Sequence, residues 1–293
     1  MRKLFVPVLL GLSAISASMG ATPVAAQQST QLLQSEDIFA LEWADGVQIS
    51  PDGRYVVYVR HGFDIMKDNT KRSLWLVDTK TGAHTPLFDD AHSYGNPKWS
   101  HDGTRLAFSS NRDGRSQIHV YHVTTKTSSA ITEVQATPSQ FSWSPNDQQL
   151  AFLMTVPAEK TAFAKAIKKP QAPKGATWAK PPVVVERTYY QRDGAGILPD
   201  TYSQIFVVPS DGGTARQLTS GPYSHSGPLA WVDEGKAIAF SANRNEDWEY
   251  DVNESDIWKV AVADGTLTQL TDLPGREWAP VTSPNGKQLA FLH

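Results

Sequence analysis

No cysteine occurs among the 293 residues, which excludes disulfide bonds and thiolate metal sites. Charged residues make up only 19% of the chain and the formal net charge is −3. This composition indicates neither a disordered chain nor a nucleic-acid-binding surface. The histidines form no His-x-x-x-His pattern near an acid, and His119 and His122 are three apart, so that in a strand they would face opposite sides. We therefore expect no metal site and no cofactor.

Long apolar runs are confined to the N-terminus. Two basic residues precede the apolar stretch LFVPVLLGLSAISASM at 4–19, and the small residues Val24 and Ala26 mark a cleavage site. This arrangement predicts a secretory signal peptide over residues 1–26. The alternative is an N-terminal membrane anchor, but the stretch is short for a span. We expect the mature protein to be soluble and secreted or periplasmic, without stable membrane insertion.

A unit of turns and strands recurs along the chain. Residues 99–121 read WSHDGTRLAFSSNRDGRSQIHVY, in which a Ser-x-Asp-Gly turn and an apolar run are followed by a second turn and a second apolar run. The first turn recurs at intervals of about 45–50 residues, with one interval twice as long, which is typical of a repeat architecture. The equivalent first positions are Ser50, Ser100, Ser144, Val232 and Ser283.

Each repeat predicts three or four antiparallel strands. In the turn, Asp or Asn can bond back to the backbone and Gly tolerates a positive φ; Asp147 takes the glycine position in the third unit. Such units cannot bury their own faces, so we predict an all-β fold in which they stack radially as blades of a β-propeller. A β-sandwich is the alternative, but it has no reason to repeat its turns. Trp99, Trp143 and Trp231 fit apolar fillers between blades, or alternatively a stacking platform for a ligand.

Two segments depart from the repeat. Residues 27–43 are predicted to form a helical lead-in, because an amphipathic pattern over 30–43 contains Ser35 as a candidate N-cap. Residues 157–200 form an insertion in the third unit, with a basic stretch followed by two predicted strands around the turn 192–196. The insertion is either a solvated loop with a hairpin, or an arm that contacts a partner domain or shapes substrate access.

The repeat resembles the propeller unit shared by the periplasmic TolB protein and the prolyl oligopeptidase family of serine peptidases. TolB resembles the chain in the repeats alone, and it carries a separate N-terminal domain. The resemblance to the dipeptidyl and acylaminoacyl peptidase branch covers about residues 35–293. It is carried by SEDI at 35–38, VQISPDG at 47–53, YYQRDG at 189–194, QIFVV at 204–208, and NR at 243–244 followed by SDIW at 255–258.

The resemblance implies a C-terminal α/β-hydrolase domain whose Ser, Asp and His triad has its serine on a Gly-x-Ser-x-Gly elbow. This chain contains no Gly-x-Ser-x-Gly sequence and no strand-helix alternation of such a domain. It stops at 289–293, inside the strand that opens a fifth unit, whereas the family uses seven or eight. We therefore expect a partial propeller over 44–293, the front portion of a longer protein, without catalytic residues of its own.

The loop ANRNEDWEY at 242–250 is the predicted substrate-binding segment. The resemblance implies that propeller loops facing the hydrolase bind the N-terminal part of a peptide. There an acidic group could pair with the α-ammonium and an aromatic ring could pack on a side chain. The alternative is a solvated charged turn, and the Ser/His cluster at 223–226 is interpreted as a polar loop. The candidate residues are Arg244, Glu246, Trp248 and Tyr250.

Three functions compete on this basis. The first is the propeller portion of an exported serine exopeptidase, which gates and helps to bind short peptides for the missing hydrolase domain and is inactive alone. The second is a non-enzymatic, TolB-like propeller that binds an envelope protein, and the third is a sugar- or ligand-binding propeller. The opening at 35–50 and the insertion favour the first, because a binding propeller needs neither.

Overall fold

The computed structural model describes residues 32–159, 170–179, 185 and 187–293. The predicted signal peptide, the start of the predicted lead-in and much of the basic stretch of the insertion lie outside the described residues.

The predicted β-propeller is confirmed. Four four-stranded antiparallel sheets follow one another as blades, and a two-stranded sheet begins a fifth. The first two blades are β1 (Trp43–Ile49), β2 (Tyr55–Asp64), β3 (Asn69–Asp78) and β4 (His84–Phe88), then β5 (Tyr94–Trp99), β6 (Arg105–Ser110), β7 (Gln117–His122) and β8 (Thr127–Ala130).

The third blade is interrupted by a small hairpin, so that its strands are not all consecutive. It contains β9 (Ser139–Trp143), β10 (Gln149–Pro157), β13 (Thr201–Pro209) and β14 (Arg216–Gln217), with the hairpin β11 (Gln191–Arg192) and β12 (Gly196–Ile197) between β10 and β13. The fourth blade is β15 (His225–Val232), β16 (Ala237–Ala242), β17 (Asp256–Ala261) and β18 (Leu267–Gln269), and the fifth begins with β19 (Trp278–Thr282) and β20 (Leu289–Leu292).

The recurring turn takes its form from one serine. The Ser50 hydroxyl donates to Asp52 Oδ1 at 2.6 Å and accepts from the Tyr55 N–H at 2.8 Å, which closes the turn between β1 and β2. Gly53 has a φ of 71°, a left-handed conformation that glycine adopts at little cost. The hydroxyl-to-side-chain bond of this turn recurs at Ser100, Ser144 and Ser283.

The fourth blade makes this turn differently, because Val232 has no hydroxyl. A single 3₁₀ turn, Asp233–Gly235, follows β15. The Lys236 N–H donates to Asp233 O at 3.1 Å, and the Asp233 carboxylate accepts from Lys259 Nζ at 2.7 Å.

Tryptophans fill the space between blades, as predicted. Trp143 and Trp231 are only 5% and 7% exposed. The indole of Trp143 donates to Lys98 O at 2.9 Å, and that of Trp231 donates to Ser142 O at 3.2 Å. Each indole therefore reaches the inner strand of the preceding blade, while Trp99 packs against the apolar cluster between the first and second blades. Burial of these rings removes large apolar areas from water.

The prediction of a helix over 27–43 is wrong in extent. The described part contains only a 3₁₀ helix, Ser35–Ala40, and its N-cap is Gln34 instead of Ser35. The Gln34 N–H donates to Asp37 Oδ2 at 2.7 Å, and this short bond favours the tight turn. Trp43 already belongs to β1, where it pairs with His61 of β2, and the two rings stack with centroids 4.9 Å apart.

Candidate functional site

Two long connections emerge at the same end of neighbouring blades. Strands alternate in direction within a blade, so the link between its second and third strands lies at the end where the chain crosses to the next blade. At this end the third blade carries the insertion at 158–200, and the fourth blade carries the loop 243–255. We call this the long-loop end.

Arg187 joins the insertion to the loop of the fourth blade. Its guanidinium carbon lies 5.0 Å from the ring centroid of Tyr202 and 5.1 Å from that of Trp248. Arg187 Nε donates to Glu249 Oε1 at 3.1 Å, and the Thr188 hydroxyl donates to Glu249 Oε2 at 3.0 Å. Cation–π contacts and a charge-assisted hydrogen bond therefore hold the two segments together.

The electrostatics of Glu249 follow from these donors. Partial burial alone would raise the pKa of the Glu249 carboxyl, but the hydrogen bonds from Arg187 and Thr188 outweigh it and lower the pKa. Glu249 is therefore ionised at neutral pH, and its negative charge is paired with Arg187 of the insertion.

Arg244 belongs to a second cluster at the base of the same loop. Its guanidinium carbon lies 4.5 Å from the ring centroid of Tyr223 and 5.5 Å from that of Trp258. Its Nη1 lies 2.8 Å from Nε2 of His225, and Nδ1 of this histidine lies 2.8 Å from Ser203 O. Because a carbonyl only accepts, Nδ1 carries the imidazole proton and Nε2 accepts from the guanidinium.

His225 is held in the neutral form by its surroundings. Burial lowers its pKa to about 4, against the opposing hydrogen bond to Ser203 O, and the charge of Arg244 acts in the same direction as burial. Burial also lowers the pKa of Arg244, but an arginine remains charged at any physiological pH.

The four predicted residues do not converge on one point. Arg244 lies in the cluster with His225, and Trp248 packs edge-on against Tyr202 with centroids 6.3 Å apart. Glu246 and Tyr250 are exposed. The structure thus divides the predicted segment into a packed base, a clamped middle and two exposed side chains.

Neither of the two side chains that hold the loop, Arg187 and His225, was predicted from the sequence. Arg187 lies inside the recognised insertion, yet nothing in its neighbours marks it as the contact with Glu249, 62 positions away. The interpretation of 223–226 as a polar loop is wrong for His225, which begins β15 and is 3% exposed. Its burial follows from the strand that it opens.

An open groove of about 1330 Å³ runs along the inner strands as far as the recurring turns at the opposite end. Its lining includes Lys98, Gln140, Pro228 and Lys287. Within the described ranges, no group of three or more His, Cys, Asp or Glu side chains could hold a metal ion. No helix in the same ranges is long and apolar enough to cross a bilayer.

Comparisons with known proteins agree with this architecture. Residues 178–291 match the family described as the dipeptidyl peptidase IV (DPP IV) N-terminal region. The uncharacterized peptidase YuxL of Bacillus subtilis is 30% identical over 217 residues, covering 74% of this chain and 32% of that protein. Dipeptidyl-peptidase 5 of Porphyromonas gingivalis is 23% identical over 295 residues, covering 96% of this chain and 41% of that protein.

Solved structures show the same fold. The acylaminoacyl peptidase of Pyrococcus horikoshii superposes with a TM-score of 0.60 at 16% identity, over 80% of this chain and 33% of that one. The chain is therefore a β-propeller. Its match to the DPP IV N-terminal region over residues 178–291 and its similarity to a dipeptidyl-peptidase agree with the predicted resemblance to the dipeptidyl and acylaminoacyl peptidases. The chain spans about a third to two fifths of the length of these relatives.

Proposed function

We propose that this chain is the propeller portion of an exported serine exopeptidase, and that it gates and helps to bind short peptides. The nucleophile would lie in a hydrolase domain elsewhere in the polypeptide, because the 293 residues contain no Gly-x-Ser-x-Gly elbow. The peptidase relatives, each two to three times as long as the matched part, support this division of labour.

One observation carries the binding role: the insertion is clamped onto the loop of the fourth blade by Arg187 and Glu249. A clamped pair of loops gives a wall of fixed shape, which costs less conformational entropy when a peptide binds than two free loops would. Glu246 and Tyr250 are exposed at this wall, where a carboxylate can meet the α-ammonium of a peptide and a ring can pack on its side chains.

Export is part of the same proposal and depends on residues 1–26. A basic start, an apolar stretch and small residues at the end are typical of a secretory signal. N-terminal sequencing of the protein recovered from the periplasm or medium of its host tests this. A mature start at Gln27 is expected, and recovery of the intact N-terminus in the cytoplasm would contradict export.

The decisive experiment begins with the coding DNA beyond the His293 codon. We expect further repeats and then a Gly-x-Ser-x-Gly elbow, and the complete product should react with a fluorophosphonate probe and release chromophore from dipeptidyl or acylaminoacyl substrates. Replacing the elbow serine by alanine is the matched control. A stop codon directly after His293 would contradict the peptidase assignment and leave a binding propeller to be tested.

A further inference from the structure

The contacts of Arg244 differ from those of the equivalent arginine in the second blade. Both follow an asparagine at the end of a second strand. Both terminal nitrogens of Arg112 find hydrogen-bond acceptors within its own blade. Nη1 donates to Ser128 Oγ at 2.9 Å, and Nη2 donates to Ser128 O at 3.0 Å. Arg244 uses Nη1 for His225 at 2.8 Å, and no carboxylate contacts its guanidinium among the residues that the structure describes.

Other arginines in the described ranges have a carboxylate partner. Arg187 pairs with Glu249, and Arg54 pairs with Asp78. A partly buried cation has lost part of its hydration, and an anionic partner restores the lost free energy. Arg244 has instead a neutral imidazole behind it and aromatic rings beside it, so the guanidinium is held in place with its charge uncompensated.

The surroundings of Arg244 fix its orientation. Its imidazole partner is 3% exposed and is itself tied to Ser203 O. The ring of Tyr223 lies 4.5 Å from the guanidinium carbon. A guanidinium with one edge occupied and its face against rings presents its remaining N–H groups in one plane, which is the geometry that a carboxylate accepts.

We propose that Arg244, positioned by His225 and by the rings of Tyr223 and Trp258, binds a carboxylate of a peptide ligand at the long-loop end. The site deepens the proposed function and rests on it for the identity of the ligand. It assigns Arg244 to an anionic group, in contrast to Glu246, whose charge suits the α-ammonium. The ligand carboxylate comes either from an acidic side chain or from the C-terminus of a short peptide.

Binding of matched peptides to the 293-residue chain, followed by tryptophan fluorescence and calorimetry, tests the site without any catalysis. Ala-Ala-Ala is compared with its C-terminal amide, and Ala-Glu-Ala amide is compared with Ala-Gln-Ala amide. In one of the two pairs we expect the carboxylate form to bind about ten to a hundred times more tightly, as a charge-assisted pair in a partly buried site would give. The pair that shows the difference identifies the source of the carboxylate.

Variants attribute the effect to Arg244. Arg244→Gln should abolish the difference within the pair, and Arg244→Lys should retain only part of it because a point charge replaces the planar fork. Arg54→Gln, which removes an exposed arginine from the turn of the first blade at the opposite end, is the matched control and should leave the difference intact. If Arg244→Gln fails to fold, the lysine variant supplies the comparison.

Equal binding of acid and amide forms by the folded wild-type chain would overturn the carboxylate site. So would a difference that persists in Arg244→Gln. Neither result bears on whether the complete product cleaves peptides, which the fluorophosphonate experiment decides separately.

Discussion

Arg187 Nε and Glu249 Oε1 lie 3.1 Å apart, and this ion pair joins the insertion of the third blade to the loop of the fourth. The two side chains are only 24% and 22% exposed, so water screens the pair less than an ordinary surface pair. The rings of Tyr202 and Trp248 flank the same guanidinium. The shape of the long-loop end therefore depends on a contact between segments distant in sequence.

Breaking this clamp should release the insertion. We expect Arg187→Gln to lower the free energy of unfolding by about 1–2 kcal/mol, because an ion pair and two cation–π contacts are lost together. Limited trypsin digestion should then cut the insertion faster, while the blades stay intact. A double-mutant cycle with Glu249→Gln measures the coupling in urea melts. Strictly additive effects of the two substitutions would contradict the clamp.

A second contact between distant segments involves Asp147, in the turn of the third blade. Its carboxylate accepts from the backbone N–H groups of His101 and Asp102, both at 2.9 Å, and so ties this turn to that of the second blade. Asp147 is buried and has a φ of 57°. One residue thus satisfies two donors of the neighbouring blade while it adopts a left-handed conformation.

Two substitutions separate these roles of Asp147. Asp147→Gly keeps the backbone conformation but loses the carboxylate, and should cost about 1–3 kcal/mol of unfolding free energy. Asp147→Ala loses the carboxylate and adds backbone strain, so it should cost about 1 kcal/mol more. Urea denaturation of both variants beside the wild type gives the comparison. An alanine variant as stable as the glycine variant would show that the φ is not constrained.

The turns and the blades were predictable because their causes are local. Ser50, Asp52 and Gly53 contact one another within four residues, and the same chemistry recurs in the other turns. The clamp was not predictable, because its partners meet only once neighbouring blades have packed. The Arg244 cluster was not predictable either, because it depends on the pairing of strands within the fourth blade. His225 illustrates this: its neighbours in the sequence are polar, and only the strand register places it in the core.

Acid should destabilise the protein through His119. This residue is fully buried and stacks on Phe108 at 5.4 Å between centroids, and its Nε2 lies 3.5 Å from Asp113 Oδ2. Burial lowers its pKa from 6.5 to about 4, with Arg112 acting in the same direction and Asp113 opposing. The unfolded chain therefore binds a proton at a higher pH than the folded chain does.

The sign of the pH effect follows from this difference. The contribution of neutral His119 to the free energy of unfolding is complete above pH 6.5. It is lost as the pH is lowered from 6.5 towards 4, and the loss is at most about 3 kcal/mol. His119→Phe removes the titration, so its urea midpoint should change less between pH 7 and pH 5 than that of the wild type. Parallel pH profiles of the two proteins would show that His119 does not contribute.

The exposed apolar side chains of the first and fifth blades should make the 293-residue chain associate. Ile49 is 64% exposed and Val281 is 57% exposed, each on an inner strand of a blade, and exposed apolar faces of packed sheets favour association. Sedimentation velocity over a range of concentrations should show a rising weight-average mass. Ile49→Lys combined with Val281→Lys should suppress it, whereas Ile65→Lys, at an exposed position in the β2–β3 turn, is the matched control. A concentration-independent monomer that melts cooperatively would contradict this expectation.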